Sequence, residues 1–318
     1  MKIDSSDPLR RVSTSDLERL ISTLEVNFVG LSQCSVSRGY RLELGGAHAP
    51  GLHYNLFGHG KIYVGNKAPV ELKPHTLIIV PRNCPFRIEV ADEAERSGAL
   101  KVIDGSKQTE MHDGIRRFTA GEKEAEVILI CGFFNASYGS STDLFANLPG
   151  PIIEQFDIAD HIDAKLQAAM SELISQEIGS KAMSSALLKQ VIVSILRRSL
   201  SSLEVWTERF AILSDPRIAR AFSEMVAEPG ATHTVASLAE TACMSRSAFM
   251  SRFSELFNKS PMLVLRELRM RQAAQQLRSS NFSVDQIAHF AGYESKGSFI
   301  RAFQKIYEND PSTYRAAG

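Results

Sequence analysis

Two short stretches, 50 positions apart, hold the residues best suited to gripping a polar surface. The first carries Arg246, Ser247, Met250 and Ser251; the second carries Lys296, Gly297, Ser298 and Arg301. Guanidinium, ammonium and hydroxyl groups at the start of a helix can hydrogen-bond phosphates and base edges. Methionine and glycine add apolar contact or close approach. This is the chemistry of recognition rather than of bond making. No nucleophile and base are paired in the sequence, so no catalytic residue is assigned and an enzyme is not expected.

The elements that position these residues form a repeat. Leu238 to Ser245 lines up with Ile287 to Glu294, 49 residues later. After one inserted residue the match resumes at 50: Phe249 with Phe299, Phe253 with Phe303, Phe257 with Tyr307 and Pro261 with Pro311. Such a match marks a duplicated structural unit. In each copy Ala239 or Ala288 lets two helices cross closely, and Ala242 or Ala291 precedes the turn. Ser245 or Glu294 then opens a second helix. Gly292 supplies the backbone freedom such a turn wants, whereas Cys243 at the equivalent place must do without it. Phe249, Phe253 and Leu256, and likewise Phe299, Phe303 and Ile306, form the expected buried faces. The eight residues above then point outward, where helix-turn-helix units read the major groove. A helix predicted over Pro261–Leu277 spans roughly 25 Å. With its flanking helices it is long enough to set two reading helices about one DNA turn, roughly 34 Å, apart.

Charge follows the same division. The 318 residues have no net charge, but from Pro216 onward 13 Lys and Arg face 9 Asp and Glu, and ten of the cations are arginines. Arginine suits forked contacts with phosphate and guanine.

The double unit resembles the DNA-binding domain of the AraC/XylS regulators. The resemblance is carried by Leu238-Ala239, Met244-Ser245-Arg246-Ser247-Ala248-Phe249, Arg252-Phe253 and Ser260-Pro261. In the second copy it is carried by Ile287-Ala288, Gly292-Tyr293-Glu294-Ser295, Ser298-Phe299, Arg301-Ala302-Phe303 and Asp310-Pro311 to Tyr314. It implies that Ser247, Met250 and Ser251 face bases in one half-site, and Lys296, Gly297, Ser298 and Arg301 in the other. It also implies transcription activation, with RNA polymerase as a partner. Arg246 would assist the first helix, whose other outward groups are small or apolar.

The first half reads as strands: Arg38–Leu44, His53–Phe57, Lys61–Val64, Thr76–Val80, Phe86–Val90 and Glu126–Phe134, punctuated by glycine- and proline-rich turns. An antiparallel sandwich or small barrel is expected. The segments around His53–Gly58, Pro69–Pro74, Thr76–Asn83 and Leu129–Gly132 resemble the cupin-like sensor domain attached to one branch of the same family. Departures from that pattern are His75-Thr76 in place of glycine-aspartate, and Phe86 in place of histidine. A small barrel can enclose one small molecule. Arg41, His53, Tyr54, Lys61, Tyr63 and Arg87 are the candidate ligand-binding residues, and Arg10-Arg11 and Arg116-Arg117 leave room for an anionic effector. His48 and His53 lack a third ligand and a suitably spaced glutamate, so neither metal nor cofactor is expected.

The expected fold is α+β with two domains: a cupin-like antiparallel β-barrel with a helical hairpin, then an all-α double helix-turn-helix. Boundaries are expected at 1–150 for the sensor, 151–215 for a helical linker or dimerisation segment, and 216–318 for the DNA-binding domain. In the hairpin, predicted over Asp160–Glu177 and Met183–Leu203, the stripe Leu187, Leu188, Val191, Ile192, Ile195 and Leu196 is wide. Two readings of it stay open, an oligomer contact giving a homodimer or simple packing on the β-domain. No apolar run approaches the roughly 20 residues of a membrane span, and Met1–Arg11 lacks a signal-peptide core, so a cytoplasmic protein is expected. Cys34, Cys84, Cys131 and Cys243 form no CxxC pair. Buried small hydrophobes are the plainer reading of them, and a redox switch through the first three is the alternative to small-molecule sensing.

Overall fold

Alternating apolar and polar residues in the first half give strands with one buried face, and two such sheets close over a common core. The computed structural model describes residues 12–92, 99–108, 111–112, 115–122, 124–138, 142–145, 148–200 and 215–316. In chain order the elements are helix α1 (Thr14–Thr23), then strands β1 (Glu25–Val36), β2 (Tyr40–Leu44), β3 (Gly51–Phe57), β4 (Gly60–Val64), β5 (Val70–Leu72), β6 (Thr76–Val80), β7 (Phe86–Val90), β8 (Lys101–Asp104), β9 (Met111–His112), β10 (Ile115–Ala120), β11 (Val127–Tyr138), β12 (Thr142–Asp143) and β13 (Ile152–Gln155). Helices α2 (Ile162–Ser175), α3 (Ser180–Leu200), α4 (Pro216–Ala227), α5 (Val235–Thr241), α6 (Arg246–Phe257), α7 (Pro261–Ser279), α8 (Val284–Phe290), α9 (Lys296–Tyr307) and α10 (Pro311–Ala316) follow. The chain divides into a β unit, residues 25–136 and 145–202, and a helical unit gathering residues 1–24, 137–144 and 203–318. The expected helix end at Leu203 and the pair Arg10-Arg11 lie outside the described residues.

In the β unit one sheet runs β13-β6-β3-β11-β1-β10-β9 and the other β5-β4-β7-β2-β8. Most pairings are antiparallel, as expected, but β1 runs parallel to β10 and β2 parallel to β8. A parallel partner must come from far along the chain, which is why these two pairs escape a reading of consecutive hairpins. Val36, Leu42, Ile62, Ile78, Ile88 and Leu129 fill the space between the sheets. Strand β3 is buried on both faces. His53 points between the sheets and Tyr54 to the other side, where its hydroxyl meets His75 Nδ1 at 2.8 Å. Burial, then the charges of Asp163 and Asp160, push the Tyr54 phenol up.

Helices α2 and α3 pack on each other, and α3 lies against β1. Leu188, Val191, Ile192, Ile195 and Leu196 are all buried within this unit, leaving only Leu187 of the stripe half-exposed. Packing on the β-domain therefore accounts for nearly all of that apolar face.

The helical unit recruits the N-terminal helix. Ser13 caps α1 by accepting from the Asp16 amide. The buried Asp16 carboxylate accepts from Ser223 on α4 at 2.8 Å and from Ser13 Oγ at 2.6 Å. Asp215 caps α4 by accepting from the Arg217 amide at 3.2 Å. The same carboxylate accepts from the guanidinium of Arg217, at 2.9 and 3.1 Å, and from Arg252 on α6 at 3.2 Å.

The central helix α7 ties the two repeats together. From it Arg269 donates to the carbonyls of Pro229 and Ala231, each at 2.8 Å, in the loop leading to the first copy. Between those carbonyls sits Gly230, in close contact with the turn of the second copy. A Cβ on Gly230 would lie 1.9 Å from the Phe290 oxygen, and one on Gly292 would lie 2.6 Å from the Gly230 oxygen. Gly292 also holds φ +73, a conformation that costs a side-chain-bearing residue roughly 1–2 kcal/mol. No helix among the described residues is long and apolar enough to cross a membrane.

Two predictions arise from this packing. Gly292→Ala loses about 2–3 kcal/mol of unfolding free energy, from backbone strain plus collision with Gly230, read by denaturant titration. Asp215 is subject first to burial, which raises its pKa, but the hydrogen bonds from Arg217 and Arg252 outweigh that and hold it below the usual range. A lowered folded pKa stabilises above the unfolded value. Its contribution, about 1–2 kcal/mol for partly solvated charge-assisted bonds, is therefore complete above about pH 5. It fades as pH falls through about 4 and is gone below the folded value. Asp215→Asn lowers neutral-pH stability and flattens this acid limb in melts taken from pH 7 to pH 3.

Candidate functional site

Each repeat builds its second helix in the same way. Thr234 and Ser283 open α5 and α8 with capping boxes closed by Ser237 and Gln286. The turns share their hydrogen bonds: Met244 N to Ala239 O at 2.9 Å and Tyr293 N to Ala288 O at 3.0 Å. Cys243 adopts φ +52 where Gly292 has +73, so the first turn is made in the same left-handed conformation without glycine. Ser245 and Ser295 then cap α6 and α9 by accepting from Ala248 N and Ser298 N. In the second copy the serine at position 295, not Glu294, does the capping. Phe249, Phe253, Phe299 and Phe303 are fully buried, with Leu256 and Ile306 partly so. Those anchors fix which face of α6 and α9 is outward.

That outward face holds all eight candidate residues. Arg246, Ser247, Ser251, Lys296, Gly297 and Arg301 are exposed, and Met250 and Ser298 are half-buried beside them. On α9, Arg301 Nη2 donates to Ser298 Oγ at 3.1 Å. Gly297 lies beside the guanidinium, where a Cβ would make only an ordinary contact, 3.6 Å from Arg301 Nη1. On α6, Ser251 donates to Glu255 at 3.3 Å, so its hydroxyl is engaged within the helix.

The arginine count overstates the cations available for DNA. Arg217 and Arg252 bind Asp215, and Arg269, Arg271 and Arg315 donate to backbone carbonyls. Arg278 stacks on Tyr314 with its guanidinium 4.5 Å from the ring centre. Six of the ten C-terminal arginines are thus structural ties. Sequence spacing alone does not mark Arg269 as the tie between repeats; its carbonyl partners come from a loop 38 and 40 residues away.

In the β unit the six candidate ligand-binding residues separate by strand parity. Leu42, Leu44, Ile62, Val64 and Ile88 face the core, so Arg41, Lys61, Tyr63 and Arg87 share the opposite, outer face of their sheet. There they form a charge network. Glu89 pairs with Arg41 and Arg87, each at 2.8 Å, Arg87 stacks 4.1 Å over the Tyr63 ring, and Lys61 pairs with Glu71 at 3.4 Å. Tyr54 lies on the outer side of the other sheet, bonded to His75. His53 alone of the six lines a cavity of about 260 Å³ between the sheets.

The cavity also touches Ser32, Phe118 and Phe133, which the sequence reading did not select, together with Arg116, read there as leaving room for an anion, and Cys34 and Cys131, read there for a redox switch. Strands β1, β10 and β11 bring them together, and Cys131 is the cross-strand partner of His53. Phe86 packs on the His53 ring, centroids 4.2 Å apart, and no group of three or more metal-ligating side chains occurs among the described residues. Cys34 and Cys131 are buried with sulfurs 2.9 Å apart. Burial, then the neighbouring Cys34, push the Cys131 thiol well up, and burial raises Cys84. Both thiols therefore stay protonated at neutral pH, the reverse of a reactive thiolate, and the redox alternative gains no support.

Comparison with known proteins agrees with both units. A helix-turn-helix domain family matches residues 238–317, and a cupin family matches residues 17–201. An AraC-like transcription regulator of Streptomyces lividans is 32% identical over 260 residues, covering 79% of this chain and 81% of that protein. Another from Streptomyces antibioticus is 28% identical over 258 residues, with the same coverage of 79% and 81%. Among solved structures, the DNA-binding domain of the transcriptional factor AdpA with a target DNA is 31% identical, covers 31% of this chain and 89% of that one, and has a TM-score of 0.31. The chain belongs to the AraC-like transcription regulators, DNA-binding proteins rather than enzymes, with a cupin N-terminal part and a C-terminal helix-turn-helix domain.

Proposed function

We propose that this chain activates transcription by reading two successive major-groove segments, and that a small molecule held in the β unit controls it. The single observation behind the DNA reading is the repeat of one outward face. Arg246, Ser247, Met250 and Ser251 on α6, and Lys296, Gly297, Ser298 and Arg301 on α9, stand on helices with matching caps, turns and buried phenylalanines. Arg301 is the group with the reach and fork for bidentate contact with guanine. Lys296, at the first turn of α9, supports it on phosphate. On α6 the outward groups are Arg246, two hydroxyls and Met250, which suits thymine methyls and groove shape more than a guanine fork.

The effector reading rests on the cavity beside His53. An effector changes DNA affinity only by binding more tightly to one of two states, and a homodimer would align two double readers on repeated sites. Activation, and contact with RNA polymerase, extend from the resemblance to this family.

Selection of the full chain on random duplex DNA at fixed moderate salt tests the first part. Enrichment of a two-block motif is expected. Arg301→Ala relaxes one block and weakens binding by about 1–3 kcal/mol, while the other block is retained. A uniform loss across all sequences would instead assign Arg301 to phosphate. Absence of any enriched sequence, with and without cell-extract small molecules, would remove the reading.

A further inference from the structure

The core of the β unit is packed solid at one end and stops short at the other. Strands β1, β3, β10 and β11 point Ser32, Cys34, His53, Arg116, Cys131 and Phe133 into or around the space that remains, about 260 Å³. Pockets for drug-sized ligands run to roughly 300–1,000 Å³, so the occupant is small.

Two polar groups there make no hydrogen bond or ion pair among the described residues. The first is His53, 1% exposed, with neither ring nitrogen hydrogen-bonded. Its place is made for it: a Cβ on Gly51 would lie 2.6 Å from Nε2. Burial pushes its pKa down to about 3, so at physiological pH it is a neutral imidazole offering one donor and one acceptor. Two unmet hydrogen bonds in an apolar interior are a standing penalty that a bound molecule can relieve.

The second is Arg116. In the parallel pairing of β1 and β10, Ser32 lies opposite Arg116 and Cys34 opposite Phe118. Arg116 therefore shares the inward face with Phe118, one pleat nearer solvent, and it is exposed at the cavity rim. Its guanidinium lies 5.9 Å from the Phe118 ring. Among the described residues, no aspartate or glutamate lines this cavity. The contrast with the outer face of the opposite sheet is sharp, because Arg41, Lys61 and Arg87 there each pair with a glutamate. One cation with no acidic group lining the cavity among the described residues, above walls of Leu44, Phe118, Phe133 and two cysteines, selects for a single negative charge on a largely apolar body. A dicarboxylate would strand its second charge, and a sugar would strand most of its hydroxyls.

We propose that this cavity binds a small organic monocarboxylate, its charge on Arg116 and one neutral polar group on its body, a hydroxyl or carbonyl, meeting His53 between Phe118 and Phe133. The assignment rests on reading the β unit as the effector site, and the test separates the two. Matched pairs, 4-hydroxybenzoate with 4-hydroxybenzamide, 4-hydroxyphenylacetate with 4-hydroxyphenylacetamide and 6-hydroxyhexanoate with 6-hydroxyhexanamide, are titrated into the full-length protein at pH 7 by ligand-observed NMR and calorimetry. At least one carboxylate is expected to bind about ten- to a hundredfold more tightly than its amide. Arg116→Gln collapses that ratio toward one and leaves the ligand-free melting temperature unchanged, since Arg116 is a solvated rim residue. If amides bind as tightly as carboxylates, the anion assignment is overturned and the effector site stands. A carboxylate preference that survives Arg116→Gln overturns this site as its source. Failure of every compound to bind at millimolar concentration removes both readings.

Discussion

The helical unit depends on one half-buried junction. Arg269 reaches from α7 to the carbonyls of Pro229 and Ala231, while Gly230 and Gly292 let the backbone of one repeat touch the turn of the other. Burial works against this guanidinium, lowering its pKa from the usual value. The compensation is two charge-assisted bonds to carbonyls that no helix satisfies. Without the junction, α7 would be a rod carrying two readers free to swivel about its ends. With it, α6 and α9 keep one mutual orientation, and a two-block DNA site has a geometric meaning.

The β unit solves a different problem. Its sheets must enclose apolar side chains and yet leave one end open. The closed end is made by branched aliphatic residues such as Ile62, Ile88 and Val127. The open end substitutes smaller or polar groups at the same inward positions: Ser32 and Cys34 on β1, His53 on β3, Arg116 on β10. These positions sacrifice packing, and the neutral His53 and uncompensated Arg116 are what a core optimised for stability alone would exclude. The buried side chains of Cys34 and Cys131 belong to this wall.

Legibility in the sequence followed local physics. The repeat, its turns and its buried phenylalanines were readable because apolar spacing at helical period and small residues at crossings are local signals. Six strands were readable from alternation and turn residues. Strands β1 and β10 were not, because Asn27, Gly30, Ser32 and Gln33, and Arg116-Arg117, dilute the apolar pattern. Of these, Ser32 and Arg116 line the cavity, so part of what hides the two strands also builds the site. The outward direction of Arg41, Lys61, Tyr63 and Arg87 was implicit in period two, since each flanks a core aliphatic, Leu42, Ile62 or Ile88. The structural use of Arg269 and Arg271 was hidden, because their acceptors are backbone carbonyls far along the chain.

The central claim is that one chain presents two readers at a fixed spacing. Its most direct measurement is affinity for a selected duplex against the same duplex with roughly five base pairs, half a helical turn, inserted between the two blocks. The junction at Arg269 predicts that the insertion rotates one block out of reach and reduces binding to the level of a single block. Equal affinity for both duplexes would show that α6 and α9 move independently, and would contradict the account.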